Sequence, residues 1–256
     1  MTRIISIISG KGGVGKTFLT ANLAYALAEL GREIVAIDAN LTTPHLGLYV
    51  GMHLAPITLH DVLKGYNLKN ALYPHPFGFK VMPGSLNLMD LNDVEIGKLP
   101  EIILNLVGSS DYILLDSAPG FGREAVSSLS STQEILIVTT PELPSVIDAT
   151  KVLKLAQAIN KGSIGIVLNR IKNKSYELSK EEVEKIIGLP VIAEIPEDPN
   201  VPKSISRRIP LVQIYPDSPA SLEIRRLAHW LEGMPFKHKP KYSFNLLEFL
   251  ASWINK

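Results

Sequence analysis

The sequence predicts an α/β protein, a doubly wound and mostly parallel sheet flanked by helices, and three observations carry that prediction. Six short β-branched runs are apolar almost throughout, where a sheet wetted on one face would alternate. Helical patterns stand between most of these runs, so the strands are expected to join through right-handed crossovers. A glycine-rich loop separates the first strand from the first helix, where an open parallel sheet offers bare backbone to a ligand.

The elements follow in order. RIISIIS (3–9) is apolar and β-branched and reads as a buried strand, and 16–30 then shows helical spacing. EIVAID (33–38) is the second strand, and FKVMPG (79–84) is a weaker candidate. A helical pattern at about 97–107 precedes the strand YILLD (112–116). EILIVTT (134–140) leads into a helix over 143–160, and SIGIVLN (163–169) into one over 179–188. PVIAEI (190–195) and a helix at about 217–232 complete a domain expected to span 1–233.

Residues 234–242 are a connector rich in proline and lysine, and 243–256 read as an amphipathic C-terminal helix. At ~100° per residue, Phe244, Leu246, Leu247, Phe249, Leu250, Ala251, Trp253 and Ile254 fill one broad arc. Asn245, Glu248, Ser252, Asn255 and Lys256 fill the other, and Lys237, Lys239 and Lys241 precede the helix. Two readings stand: a helix lying in a membrane surface, and a helix docking on a protein surface.

Bulk composition excludes several classes. With 26 basic and 25 acidic residues the formal net charge is +1, which argues against a whole-surface grip on nucleic acid. The chain has 0 cysteines, which removes disulfides, thiolate metal sites and iron–sulfur ligation, and fits a reducing cytoplasm. No run reaches the ~18 consecutive apolar residues of a membrane span, and the apolar start is too short for a secretory signal. The expected location is cytoplasmic, at most peripheral on the inner face of the membrane. The 6 histidines show no tight metal spacing, and His53 and His60 are expected in a loop.

Gly10, Gly15, Lys16 and Thr17 satisfy G-x-x-x-x-G-K-[ST] between a strand and a helix. Gly10, Gly12, Gly13 and Gly15 let backbone N–H groups turn toward phosphates, Val14 completes the loop, and the helix N-terminus adds partial positive charge. Lys16 is placed to reach β- and γ-phosphates, and the Thr17 hydroxyl to ligate Mg²⁺. Asp116 closes an apolar strand, as a carboxylate that holds Mg²⁺ through water would, and Gly120 permits the following loop to change conformation. Asp38 and Asn40 end another strand two residues apart and so share a side; Asp38 joins Thr17 and Asp116 as a metal candidate. Asn169 and Arg170 end a buried strand, and the Asn169 amide offers the donor and acceptor that suit a purine edge.

KGGVGKT (11–17), with its second lysine at position 11, resembles the deviant Walker A motif of the MinD/ParA group of ATPases. The resemblance covers roughly 1–233 and recurs in order at DSAPG (116–120), VLNR (167–170) and IPEDPNVP (195–202). It implies a P-loop NTPase fold, ATP and Mg²⁺ as ligands, and an ATP-dependent homodimer in which Lys11 crosses to the partner's nucleotide. It also implies adenine contacts from Pro196 and Asp198, a regulatory protein partner, a positioning role in cell division or a related process, and a membrane-targeting helix at 243–256. The family pattern at the second strand is D-x-D, and this chain departs from it at Asn40. An amide orients water but accepts no proton, so slow hydrolysis is expected unless another group positions the water. ParA-like relatives bind DNA through basic patches; Arg207, Arg208, Arg225 and Arg226 are the candidates here, and solvated surface is the preferred reading.

Overall fold

The computed structural model describes residues 1–237. In chain order the elements are β1 (Arg3–Ile8), α1 (Lys16–Glu29), β2 (Ile34–Ala39), α2 (Leu46–Tyr49), α3 (Leu59–Leu63), β3 (Tyr73–Pro74), β4 (Lys80–Met82) and α4 (Leu99–Leu104). There follow β5 (Tyr112–Ser117), α5 (Arg123–Ser130), β6 (Glu134–Thr139), α6 (Leu143–Ala158), β7 (Gly162–Ile171), α7 (Lys180–Ile187), β8 (Val191–Pro196), α8 (Asn200–Arg207), α9 (Leu211–Ile214) and α10 (Pro219–Leu231). The strands form one 8-stranded sheet in the order β3-β4-β2-β5-β1-β6-β7-β8. Every pairing is parallel except β3 with β4.

The central strands are buried on both faces because both faces carry helices. On one face Ile5 and Ile7 pack with Leu19, Leu23 and Leu27 of α1 and with Ile224 and Leu227 of α10. On the other, Ile4, Ile37 and Ile113 pack with α3 and α4, while Ile8, Ile135 and Ile137 pack with α5, α6 and α7. Helix α1 packs on the sheet and is flanked by α2, α9 and α10, which is why its buried residues run all round it instead of along a stripe.

Several expectations need correction. The helix expected at 97–107 is shorter, a 3₁₀ turn at Ile96–Lys98 leading into α4. His60 lies in α3, not a loop, and is fully buried. Helices α5 and α8, and the short α2, α3 and α9, were not apparent in the sequence. The expected helix at 243–256, and all of the 234–242 connector beyond Lys237, lie outside the described residues. No helix of the described residues is long and apolar enough to cross a membrane.

Candidate functional site

The site is assembled at the C-terminal ends of the parallel strands. Strand β1 feeds the glycine loop, and Gly15 caps α1 in the left-handed region at φ 99°. A Cβ at Gly15 would collide with Nδ2 of Asn169, and one at Gly10 would meet the Asp148 backbone of α6 at 2.5 Å. Glycine is required at both places by close approach.

Lys16 is buried, and its Nζ donates to Oγ of Ser9 at 3.0 Å. The Ser9 hydroxyl in turn donates to the carbonyl of Lys11 at 2.7 Å, which ties down the loop's entry. Burial pushes the Lys16 ammonium down, and Asp116 opposes that. The Thr17 hydroxyl donates to Oδ2 of Asp116 at 2.6 Å. Oδ1 of Asp116 is buried without a hydrogen-bond partner. Burial pushes the Asp116 carboxyl up to about 6, against the pull of Thr17 and Lys16. An unpartnered buried carboxylate oxygen beside a threonine hydroxyl is a donor pair suited to a hard cation or its water.

Asp38 stands beside Asp116, because β2 and β5 pair in register at these two residues. Burial, and then the Asp116 charge, hold Asp38 well above the usual carboxylate range. Its oxygens accept from backbone N–H groups, Oδ2 from Leu46 at 2.8 Å and Oδ1 from Asn40 at 3.4 Å. Asn40 is turned onto its own loop: Nδ2 donates to the Thr43 carbonyl at 2.7 Å and its hydroxyl at 3.0 Å, and Oδ1 accepts from that hydroxyl at 3.2 Å. Lys11, Gly12 and Gly13 are exposed, and the Lys11 ammonium has no hydrogen-bond or ion-pair partner among the described residues.

Asn169, Arg170, Pro196 and Asp198 come together around one cavity of about 220 Å³, along with Gly13 and Gly15. Asn169 is buried and its Nδ2 donates to the Val14 carbonyl at 2.7 Å. The β7–β8 register shifts between Asn169 and Ile171, and Arg170 sits in the bulge at φ 60°. Its guanidinium pairs with Glu197 at 2.9 Å and reaches the Gly13 carbonyl at 3.3 Å. Asp198 lines the cavity but spends its oxygens on backbone, accepting from Asn200 at 2.8 Å and Ala220 at 3.4 Å. Phe18, Tyr49 and Glu197 also line this cavity and were missed in the sequence; Glu197 was open to discovery beside Pro196 and Asp198.

The four arginines considered for a basic patch have different fates. Arg225 pairs with Glu29 at 2.8 Å and donates to two backbone carbonyls, and Arg226 pairs with Glu223. Arg207 and Arg208 are exposed, with Arg208 against His53 at 3.0 Å. Among the described residues no cluster of histidine, cysteine, aspartate and glutamate forms a metal-binding group of three.

Residues 5–211 match the CobQ/CobB/MinD/ParA nucleotide binding domain. The chain is 37% identical to an uncharacterised ATP-binding protein of Methanocaldococcus jannaschii, over 100% of its own length and 95% of that protein's. Among solved structures it is similar to the septum site-determining protein MinD of Pyrococcus horikoshii complexed with Mg-ADP, at TM-score 0.88 and 37% identity, covering 91% of this chain and 96% of that one. It also resembles a chain of the MinC:MinD cell division protein complex of Aquifex aeolicus, at TM-score 0.83 and 31% identity, covering 93% and 98%.

Proposed function

The chain belongs to the CobQ/CobB/MinD/ParA nucleotide-binding family, and from that premise we propose a MinD-like ATPase that dimerises around ATP and Mg²⁺ and works as a positioning switch. The observation that carries this reading is Lys11, an exposed cation without a partner among the described residues, in a loop whose other lysine, Lys16, is buried at the start of α1 against Ser9. Charge that serves no neighbour among the described residues is suited to a phosphate shared with a second copy.

The reaction is in-line attack of water on the γ-phosphorus, with ADP leaving through its β-phosphate oxygen. Negative charge grows on the γ- and bridging oxygens, and Lys16, the N-terminal amides of α1 and the partner copy's Lys11 stabilise it. Mg²⁺, when bound, would be held by Thr17 and Asp116 and would supply charge neutralisation between the β- and γ-phosphates. Asp38 orders the second-strand loop through its backbone hydrogen bonds. Asn169 and Arg170, with Pro196 and Glu197, form the walls that would receive the base.

ATP-dependent dimerisation followed by analytical ultracentrifugation tests the shared site. Lys16→Ala is expected to lose nucleotide binding, whereas Lys11→Ala keeps binding and loses both dimer and turnover. A Lys11→Ala protein that dimerises on ATP like the wild type would overturn the reading.

Turnover is proposed to be slow, because the Asn40 amide neither accepts a proton nor points away from Thr43. Asn40→Asp should raise the single-turnover rate, and an unchanged rate would remove Asn40 as the cause. A second reading, an ATP-holding scaffold, rests on the same observation, and wild-type hydrolysis at the uncatalysed rate would select it.

The output is proposed to be membrane or partner binding. Two copies of the 243–256 segment in one dimer would gain roughly 10²–10⁴ in avidity over a single one. Liposome co-sedimentation should rise with ATP over ADP in the wild type and fail in Trp253→Glu; ATP-enhanced binding by that variant would exclude the segment as anchor.

A further inference from the structure

Two loops face each other across the phosphate side of the site. One follows β2 and carries Asn40 to His45; the other follows β5 and carries Ala118 to Gly122 before α5 begins. A cavity of about 430 Å³ lies between them, lined on one side by Asn40, Thr42 and Thr43 and on the other by Pro119, Arg123 and Glu124.

Hydrogen bonds hold the first loop residue by residue. Asn40 folds onto Thr43, Leu46 is held by Asp38, and the carbonyl of Leu41 meets Nε2 of His60 at 3.1 Å. Those tethers run within the loop or back to β2 and α3. Glu124 is different: its carboxylate accepts from the Thr42 hydroxyl and from the Thr42 backbone N–H at 3.3 Å. Among the described residues it is the hydrogen-bonding side chain that joins this loop to the first turn of α5, directly after the β5 loop. The loop that leads into α5 is tied to the glycine loop, since the N–H of Gly120 donates to the Ser9 carbonyl at 2.9 Å, and Gly120 stands at φ 78°. A continuous set of contacts therefore runs from Ser9, the partner of Lys16, through Gly120 and α5 to Thr42 and its neighbour Thr43.

We propose that Glu124 is a positioning residue that couples the two phosphate-facing loops, so that displacement of either is felt by the other. It acts through Thr42 and touches no reacting atom. A carboxylate that receives two donors from one residue fixes both the backbone and the side chain of Thr42, and so sets where Asn40 and Thr43 stand. Coupling of this kind is reciprocal by linkage, and that gives it a test independent of turnover.

The simpler account is that Glu124 merely stabilises the N-terminal turn of α5, where an acidic side chain is favourable. Thr42 separates the two, since removing its hydroxyl leaves the Glu124 charge in place. In the nucleotide-free full-length protein, Glu124→Ala is expected to speed amide exchange between Leu41 and Leu46 roughly 5–10-fold, the scale of a lost charge-assisted hydrogen bond near solvent. Thr42→Val should speed exchange over residues 121–126 as well, and Thr42→Ser should restore it. Absence of the α5 response in Thr42→Val, or of the loop response in Glu124→Ala, overturns the coupling.

The consequence for rate rests on the ATPase reading above. Glu124→Ala should lower kcat about tenfold with KM within about twofold, and Glu124→Gln should retain most of the rate because its amide oxygen still accepts. A kcat for Glu124→Ala within twofold of wild type overturns the positioning role. Exchange responses in a protein that never hydrolyses ATP would sink the ATPase reading and leave the coupling standing.

Discussion

A methyl group at position 15 would meet the Asn169 amide on a backbone already in the left-handed region. Gly15→Ala should therefore weaken ATP binding by at least about tenfold and lower the melting temperature, since an L-residue there costs about 1–2 kcal/mol before any clash; calorimetric titration and a thermal melt check both. His60 gives a pH prediction. Its Nδ1 accepts from the Ser85 N–H at 3.0 Å while Nε2 meets the Leu41 carbonyl, an arrangement that requires the neutral ring. Burial lowers its affinity for a proton below the ordinary histidine value of 6.5, although Leu41 and the nearby Asp90 and Asp61 pull the other way. The unfolded chain then binds more protons than the folded one below pH 6.5, so this stability is complete above that pH and is lost as pH falls through the lowered value. His75, lowered by burial as well, adds to the same slope. Replacing His60 with Gln should shallow the loss of stability measured in melts between about pH 5 and 6.5 without abolishing it. Lys16 and Thr17 were legible because the phosphate-loop pattern fixes their spacing along the chain, and Asp116 because it ends an uninterrupted apolar strand. Thr42, Glu124 and His60 were not, because each acts on a neighbour brought close only by the fold.

Helix α1 behaves as a core element, packed on the sheet and against α10. Leu23→Ala is expected to cost about 2–5 kcal/mol in chemical denaturation, the range for a truncated buried leucine. The long strands announced themselves through uninterrupted β-branched runs, and α7, expected from its helical pattern over 179–188, opens on a capping box of Ser179 with Glu182. Helix α5 (REAVSSLS) did not, since three serines in eight residues dilute both propensity and apolar spacing. Helix α8 (NVPKSISR) carries a proline in its first turn and depends on Asp198, whose carboxylate receives the Asn200 N–H. Asp198, expected at the base, lines the cavity and also supports the helix that walls it. The bulge at Arg170 was likewise invisible, because register is a property of two strands and not of one.

At the scale of the molecule, the strand order gathers the site from distant parts of the chain. Placing β1 beside β5, and β5 beside β2, sets the glycine loop, Asp116 and Asp38 together, while β7 and β8 bring Asn169, Arg170 and Pro196 to the neighbouring cavity. The doubly wound architecture was legible from alternation alone, but which strand ends became neighbours was not. If two copies share their nucleotides, ATP–Mg²⁺ at 100 times Kd should add about 2.7 kcal/mol of stability per site, and the melting temperature should rise with protein concentration only when ATP is present. Concentration-independent melting with ATP would speak for a monomer. The sheet's margins bear on how such a pair could form at all. One margin is the two-residue β3, whose Pro74 has no N–H to give a neighbouring strand; the other, β8, carries the exposed Glu194 midway and ends in Pro196. Growth by adding strands from another copy, the route that leads to unregulated polymer, is therefore blocked on both flanks by the described residues. On the reading proposed above, self-association falls to the loop-bearing end, where a bound nucleotide would decide whether two surfaces match, so that resistance to polymer and switching would depend on the same geometry.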